Sequence, residues 1–141
     1  MIYDLDRFLQ AQSGSYETAL REIRSGRKRS HWMWYIFPQI QGLGFSATAQ
    51  YYAIRDLQEA KEYLRHPTLR ARLLEISEAL LTLDSRDAAA VFGWPDDMKL
   101  HSSMTLFAEA EPACTVFQDV LRQYFHGNKD EKTLQILRDA Q

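Results

Sequence analysis

The chain of 141 residues is 45% hydrophobic and 26% charged, the size and balance of one compact domain with its own core. Seventeen Lys and Arg against nineteen Asp and Glu give a formal charge of -2, which excludes a generic polyanion binder acting through net charge. Any anion site must be local.

A globular chain of this length buries about 68 to 70% of its unfolded surface, so neither a metal nor a disulfide is needed to hold it. Composition also excludes disorder and coiled coil, and residues 1–141 are read as a single domain. The N-terminal stretch mixes Asp4 and Asp6 with Leu5, Phe8 and Leu9, without the basic start and apolar run of a secretory signal. The longest purely apolar run, residues 32–37, has six residues where a spanning helix needs about 20. Cys114 is the single cysteine, which rules out an internal disulfide and leaves too few soft ligands for zinc. With no H-E-x-x-H either, the expectation is a cytoplasmic protein with no membrane segment, metal or cofactor.

Helical periodicity carries most of the chain. Asp4 is placed to cap a helix bearing Leu5, Phe8 and Leu9; Ser15 caps one bearing Tyr16, Ala19, Leu20 and Ile23, which Gly26 ends. The run at 32–37 is too short for periodicity to assign to strand or buried helix. Ser46 marks another helix start, and Leu57, Ala60 and Leu64 form a stripe after Asp56. Leu69, Leu73, Ile76, Leu80 and Leu83 recur every three or four residues behind Pro67, whose fixed φ and missing amide proton suit a first helical turn. Ser85 is placed to cap a short helix ending before Gly93. Pro95 then closes a turn before a helix capped by Asp96 or Asp97 and carrying Leu100, Ser103, Met104 and Phe107. Phe117, Val120, Leu121, Tyr124 and Phe125 form a wide apolar face between Pro112 and Gly127, and a last helix starts near Asp130. The sum is an all-α domain of seven to eight short helices with orthogonal-type packing, and no internal repeat or linker.

Two segments concentrate polar chemistry. Five of the seventeen basic residues fall between residues 21 and 29, directly before Trp32, Trp34, Tyr35 and Phe37. Guanidinium pairs with phosphate oxygens and indole stacks on flat rings, so Arg27, Lys28, Arg29, His31, Trp32, Trp34 and Gln39 suit a phosphorylated or nucleotide-like ligand. The glycines at 42 and 44 before Ser46 add a weaker anion signal at a helix start. The same aromatics also read as core, the basic run as a solvated loop, and His31 as a hydrogen-bonded structural residue.

In the second segment, Asp97, His101 and Thr105 fall on one helical face, and Lys99 with Ser102 or Ser103 on another. A carboxylate could orient an imidazole there, but one helix cannot supply the convergence of nucleophile, base and orienter. Asp96 and Asp97 exceed what a single cap requires, so they join His31 as catalytic candidates and Lys99 joins the ligand-binding set. Cys114 reads as a small buried hydrophobe.

Arg27-Lys28-Arg29-Ser30-His31-Trp32-Met33-Trp34, Ile36-Phe37-Pro38-Gln39, Gly42-Leu43-Gly44, His66-Pro67, Pro95-Asp96-Asp97 with Lys99-Leu100, and Met104-Thr105-Leu106-Phe107 together resemble an uncharacterised bacterial family, domain of unknown function 1810. The resemblance implies a small, mainly α-helical single domain and brings no established activity or catalytic residue. Trp94 and His101 depart from that family's pattern, which counts against either as a catalyst. Members are sometimes labelled calpastatin, yet an extended polar inhibitor is at odds with this hydrophobic content.

Three functions compete at this point. The first is a site, hydrolytic if a proton is moved, for a phosphorylated or nucleotide-like small molecule, with His31 or an aspartate as acid-base and Arg29 stabilising charge. The second is a protein-interaction module built on the aromatic segment 31–37, as monomer or dimer. Single-stranded nucleic-acid binding is the weakest, because of the net charge.

Overall fold

A computed structural model of the protein describes residues 3–140, which form ten helices and no strand. The helices are α1 (Asp6–Ser13), α2 (Tyr16–Arg24), α3 (Met33–Ile36), α4 (Ala47–Tyr51), α5 (Leu57–Arg65), α6 (Pro67–Leu81), α7 (Ala88–Phe92), α8 (Asp96–Ala110), α9 (Val116–Phe125) and α10 (Glu131–Asp139). The expected seven to eight become ten because the apolar run at 32–37 forms the one-turn helix α3 and Ser46 starts the five-residue α4. None of the described helices is long and apolar enough to cross a membrane.

The punctuation explains most boundaries. Asp56 accepts from Glu59 N, His66 from Leu69 N with Pro67 behind it, and Asp130 from Thr133 N, each satisfying an amide that has no partner inside its own helix. Four starts differ from expectation: Ser15 precedes α2 without a side-chain cap bond, its Oγ accepting from the Tyr35 hydroxyl instead. Leu5 rather than Asp4 precedes α1, and Asp87 rather than Ser85 caps α7, with Ser85 Oγ accepting from Asp87 N. Pro95 precedes α8, so Asp96 and Asp97 are its first two residues and their side chains are not used as caps.

Helix α8 is the axis of the molecule. Leu100 and every residue from 102 to 108 are buried, so it is apolar on nearly all sides and must be surrounded, as α5, α7, α9 and α10 surround it. A ladder of rings ties these layers together. Tyr63 of α5 meets Phe8 of α1 edge-on at 5.2 Å and Phe107 of α8 at 5.2 Å, and Phe107 meets Phe117 of α9 at 5.8 Å. The first turns of α8 emerge from this core at the surface, which is where the second polar segment lies.

One buried ion pair shapes the neighbouring wall. Arg7 reaches Glu59 at 3.0 Å and also donates to the carbonyls of Tyr51 and Ala53 at 2.9 and 2.8 Å, while Glu59 accepts from Arg55 N at 2.7 Å. Every donor of the pair is used, so the charges are compensated without water. The result pins the α4–α5 connection to α1. A single parallel bridge, Ile40 with Ile54, closes the same loop through Ile54 N to Gln39 O at 2.8 Å.

Candidate functional site

The basic-aromatic segment is organised around a carboxylate. Glu22 of α2 is buried and accepts from Arg29 N at 2.7 Å, Ser30 N at 3.0 Å, Ser30 Oγ at 2.6 Å and Trp32 Nε1 at 2.9 Å. Burial pushes its pKa up, but four donors aimed at the ionised form outweigh that and bring it down to about 2. Trp32 is therefore core, 1% exposed, and its indole offers no face to a ligand, contrary to the stacking role expected of it. The chain must curl tightly around Glu22 to deliver those donors. That curl throws Arg27, Arg29 and His31 outward.

Lys28 points the other way. Its ammonium lies 2.8 Å from Asp96 Oδ2 and 5.0 Å from the Trp32 ring centroid, with the side chain 7% exposed. Asp96 Oδ1 also meets Lys99 at 3.3 Å, and the Lys99 ammonium sits 4.8 Å over the ring of Trp34. One carboxylate between two ammonium groups leaves a formal charge of +1 on the trio. Asp96 is thus an ion-pair bridge rather than a free proton carrier. The two sequence segments do meet here, Lys28 and Trp34 from the first and Asp96 and Lys99 from the second.

A second tie runs parallel to it. Gln39 Nε2 donates to Ser102 Oγ at 2.6 Å, and Ser102 Oγ donates to Lys99 O at 3.1 Å. The hydroxyl proton is committed to a backbone carbonyl, so Gln39 must be the donor in the first bond and its Oε1 faces away from Ser102. This also removes Ser102 as a nucleophile, since among the described residues its proton goes to a backbone carbonyl and not to a base.

Lys99 and the Gln39–Ser102 tie line a cleft of about 250 Å³ together with Leu43, Gly44, Ala49, Pro95, Met98, Asp130 and Lys132, while Lys28 and Asp96 are not part of its lining. Its walls come from three parts of the chain: the loop ahead of α4, the first turns of α8 and the start of α10. Gly44 is required by close approach, because a Cβ there would lie 2.6 Å from the Ala49 Cβ. Gly42 has φ +108, a turn conformation, and Ser46 Oγ caps α4 at Ala49 N, so the glycine pair builds the wall and presents no anion-binding helix end.

The face of α8 bearing Asp97, His101 and Thr105 does something other than pair acid with imidazole. The His101 ring stacks on Phe125 at 4.2 Å and donates from Nε2 to Asn128 O at 2.8 Å, while Thr105 Oγ1 accepts from Asp130 N at 2.9 Å. Together they clamp the α9–α10 loop and so set Asp130 at the cleft. Asp97 has one buried carboxylate oxygen with no hydrogen-bond partner among the described residues.

His31 is exposed and lies in a separate shallow hollow with Gly14, Ser15, Thr18, Ser30 and Tyr35. Arg27 borders a different depression beside residues 89–93, and Arg29 is exposed. The expected wall is therefore broken up: Arg27 and Lys28 border one depression, His31 another, and Arg29 neither. Only Lys28 reaches the Asp96 bridge. Among the described residues no cluster of His, Cys, Asp or Glu is arranged to hold a metal ion.

Residues 2–137 match the family described as Protein of unknown function (DUF1810). The chain belongs to the DUF1810 family. It is also similar to a conserved hypothetical protein from Mycobacterium tuberculosis of known crystal structure, 45% identical over 96% of this chain and 97% of that one, with a TM-score of 0.94. No curated protein matches it. The family membership read from the motif blocks is shown, and since DUF1810 carries no assigned activity, the cleft has to be argued from its own chemistry.

Sequence reasoning missed Leu43, Ala49, Met98, Asp130 and Lys132. Asp130 was visible only as a helix cap, and Lys132 lies 33 residues from Lys99 in sequence with no shared motif. Ser102 was visible only as a residue sharing a helical face with Lys99.

Proposed function

We propose that the cleft between α4, α8 and α10 binds a small phosphorylated molecule, with the phosphate at the Lys99 end. The observation that carries this reading is the lining of the cleft, where Lys99 and Lys132 against the one carboxylate of Asp130 give a formal charge of +1 in a protein of net charge -2. Low-dielectric surroundings strengthen attraction to an anion at such a point. At about 250 Å³ the cleft suits a small metabolite rather than a polymer. Binding, rather than hydrolysis, is the activity supported, because His31 lies elsewhere and Asp96 is held between two lysines.

A second reading rests on a different observation. Trp94 is 78% exposed and Phe45 84%, and they adjoin the cleft residues Pro95 and Gly44. An apolar rim of this kind also suits a protein partner. Nucleic-acid binding loses its main support with Trp32 buried.

Thermal-shift and calorimetric titration with sugar phosphates and nucleotides tests the first reading. A ligand at 100 times its dissociation constant stabilises the fold by about 2.7 kcal/mol, a shift of several degrees that Lys99→Gln should abolish. If no phosphorylated compound moves the midpoint, the reading fails and the protein-partner reading replaces it.

A further inference from the structure

Beyond a site for phosphate, the cleft lining offers hydrogen-bond acceptors and an apolar lip. Asp130 commits Oδ2 to Thr133 N at 3.1 Å and Thr133 Oγ1 at 2.6 Å, leaving Oδ1 without a hydrogen bond among the described residues. Gln39 gives one Nε2 hydrogen to Ser102, which fixes its amide and leaves Oε1 as an acceptor beside the second N–H. An ionised carboxylate oxygen and an amide oxygen accept but do not donate. The Asp130 oxygen repels phosphate and calls for ligand hydroxyl or N–H groups. The lip carries Met98, which lines the cleft, and Trp94, next to Pro95, both exposed. A ligand with phosphate and hydroxyls alone would leave this apolar surface in water, whereas a flat ring would cover it.

Resting on the phosphorylated-ligand reading above, we infer that the ligand is a ribonucleoside 5′-phosphate. Its phosphate lies at Lys99, its ribose hydroxyls donate to Asp130, and its base lies against Trp94 and Met98. The residue types of the lining match these three groups. Lys99 supplies a cation to the lining, Asp130 its unpaired carboxylate oxygen and Met98 its apolar surface.

The experiment is a fluorescence and calorimetric titration of the intact protein with AMP, 2′,3′-dideoxy-AMP, ribose 5-phosphate and inorganic phosphate. Wild type, Trp94→Leu and Asp130→Asn are compared; both substitutions are conservative, since residue 94 is exposed and Asn also caps helices. AMP is expected to bind at least about tenfold tighter than ribose 5-phosphate, a factor worth about 1.4 kcal/mol. Trp94→Leu should erase that preference and the fluorescence change. Asp130→Asn should weaken AMP but leave dideoxy-AMP unchanged. If ribose 5-phosphate binds as tightly as AMP, or dideoxy-AMP as tightly as AMP in wild type, the nucleoside inference is overturned while the phosphate reading stands. If none of the four binds, both fall.

Discussion

Trp32 donates its indole N–H to the carboxylate of Glu22 at 2.9 Å, and both side chains are buried. The bond joins α2 to the turn that follows it and explains a pattern that reads in sequence as ligand chemistry. Basic residues stand beside aromatic ones because the backbone curls around a carboxylate. The aromatic side falls inward and most of the cations fall outward.

Glu22→Gln should therefore be among the most damaging polar substitutions. The folded pKa of about 2 lies below the ordinary glutamate value, so the stabilisation is complete above the unfolded pKa near 4.5 and is lost as pH falls through the folded one. The difference corresponds to about 3 kcal/mol at neutral pH. Urea denaturation followed from pH 6 to pH 2 should show wild type losing about that much more stability than the variant. Parallel curves would show that Glu22 is not the linked group.

Asp96→Asn should destabilise the fold by about 2–4 kcal/mol, because it leaves Lys28, 7% exposed at its side chain, as a desolvated charge without its partner. Lys28→Met combined with Asp96→Asn should recover part of the loss, since the orphaned ammonium is gone. A double-mutant cycle in denaturant measures this coupling directly. Additive losses would mean that the bridge carries no interaction energy.

Gly44→Ala should cost about 1–3 kcal/mol through overpacking, as the new Cβ would lie 2.6 Å from the Ala49 Cβ. Ala49→Gly in the same chain removes the clash. If the pair regains wild-type stability and the single substitution does not, the contact is established; if Gly44→Ala melts with wild type, it is refuted.

Much of the fold was readable because its signals are local. Pro67 behind His66, Asp56 before Leu57 and the spaced leucines of α6 each act within one or two turns, where propensity and capping decide the outcome. Helix α4 was marked only by its Ser46 cap and α3 not at all, since one turn has no period to detect and the 32–37 run is held by burial against distant residues such as Phe92. The site was readable by half. The chemistry of Lys99, Gln39 and Asp96 could be named from residue type, but which way Arg27 and His31 turn depends on Glu22, a residue that gave no signal beyond its charge. Asp130 and Lys132 arrive by tertiary packing of α10 on α8, to which no spacing rule applies.

His31→Ala supplies the sharpest contrast between motif and geometry. In sequence His31 is the natural acid-base candidate, flanked by Ser30 and Trp32. In the fold it is exposed, on a surface shared with Ser15 and Tyr35 rather than with Lys99. Surface substitutions away from special features stay within about 0.5 kcal/mol, so the variant should melt with wild type. It should also give the full ligand-induced shift with any phosphorylated compound that stabilises wild type, while Lys99→Gln should not. Loss of the shift in His31→Ala with the unliganded midpoint unchanged would move the binding site to the Ser15–Tyr35 hollow and displace the cleft from its role.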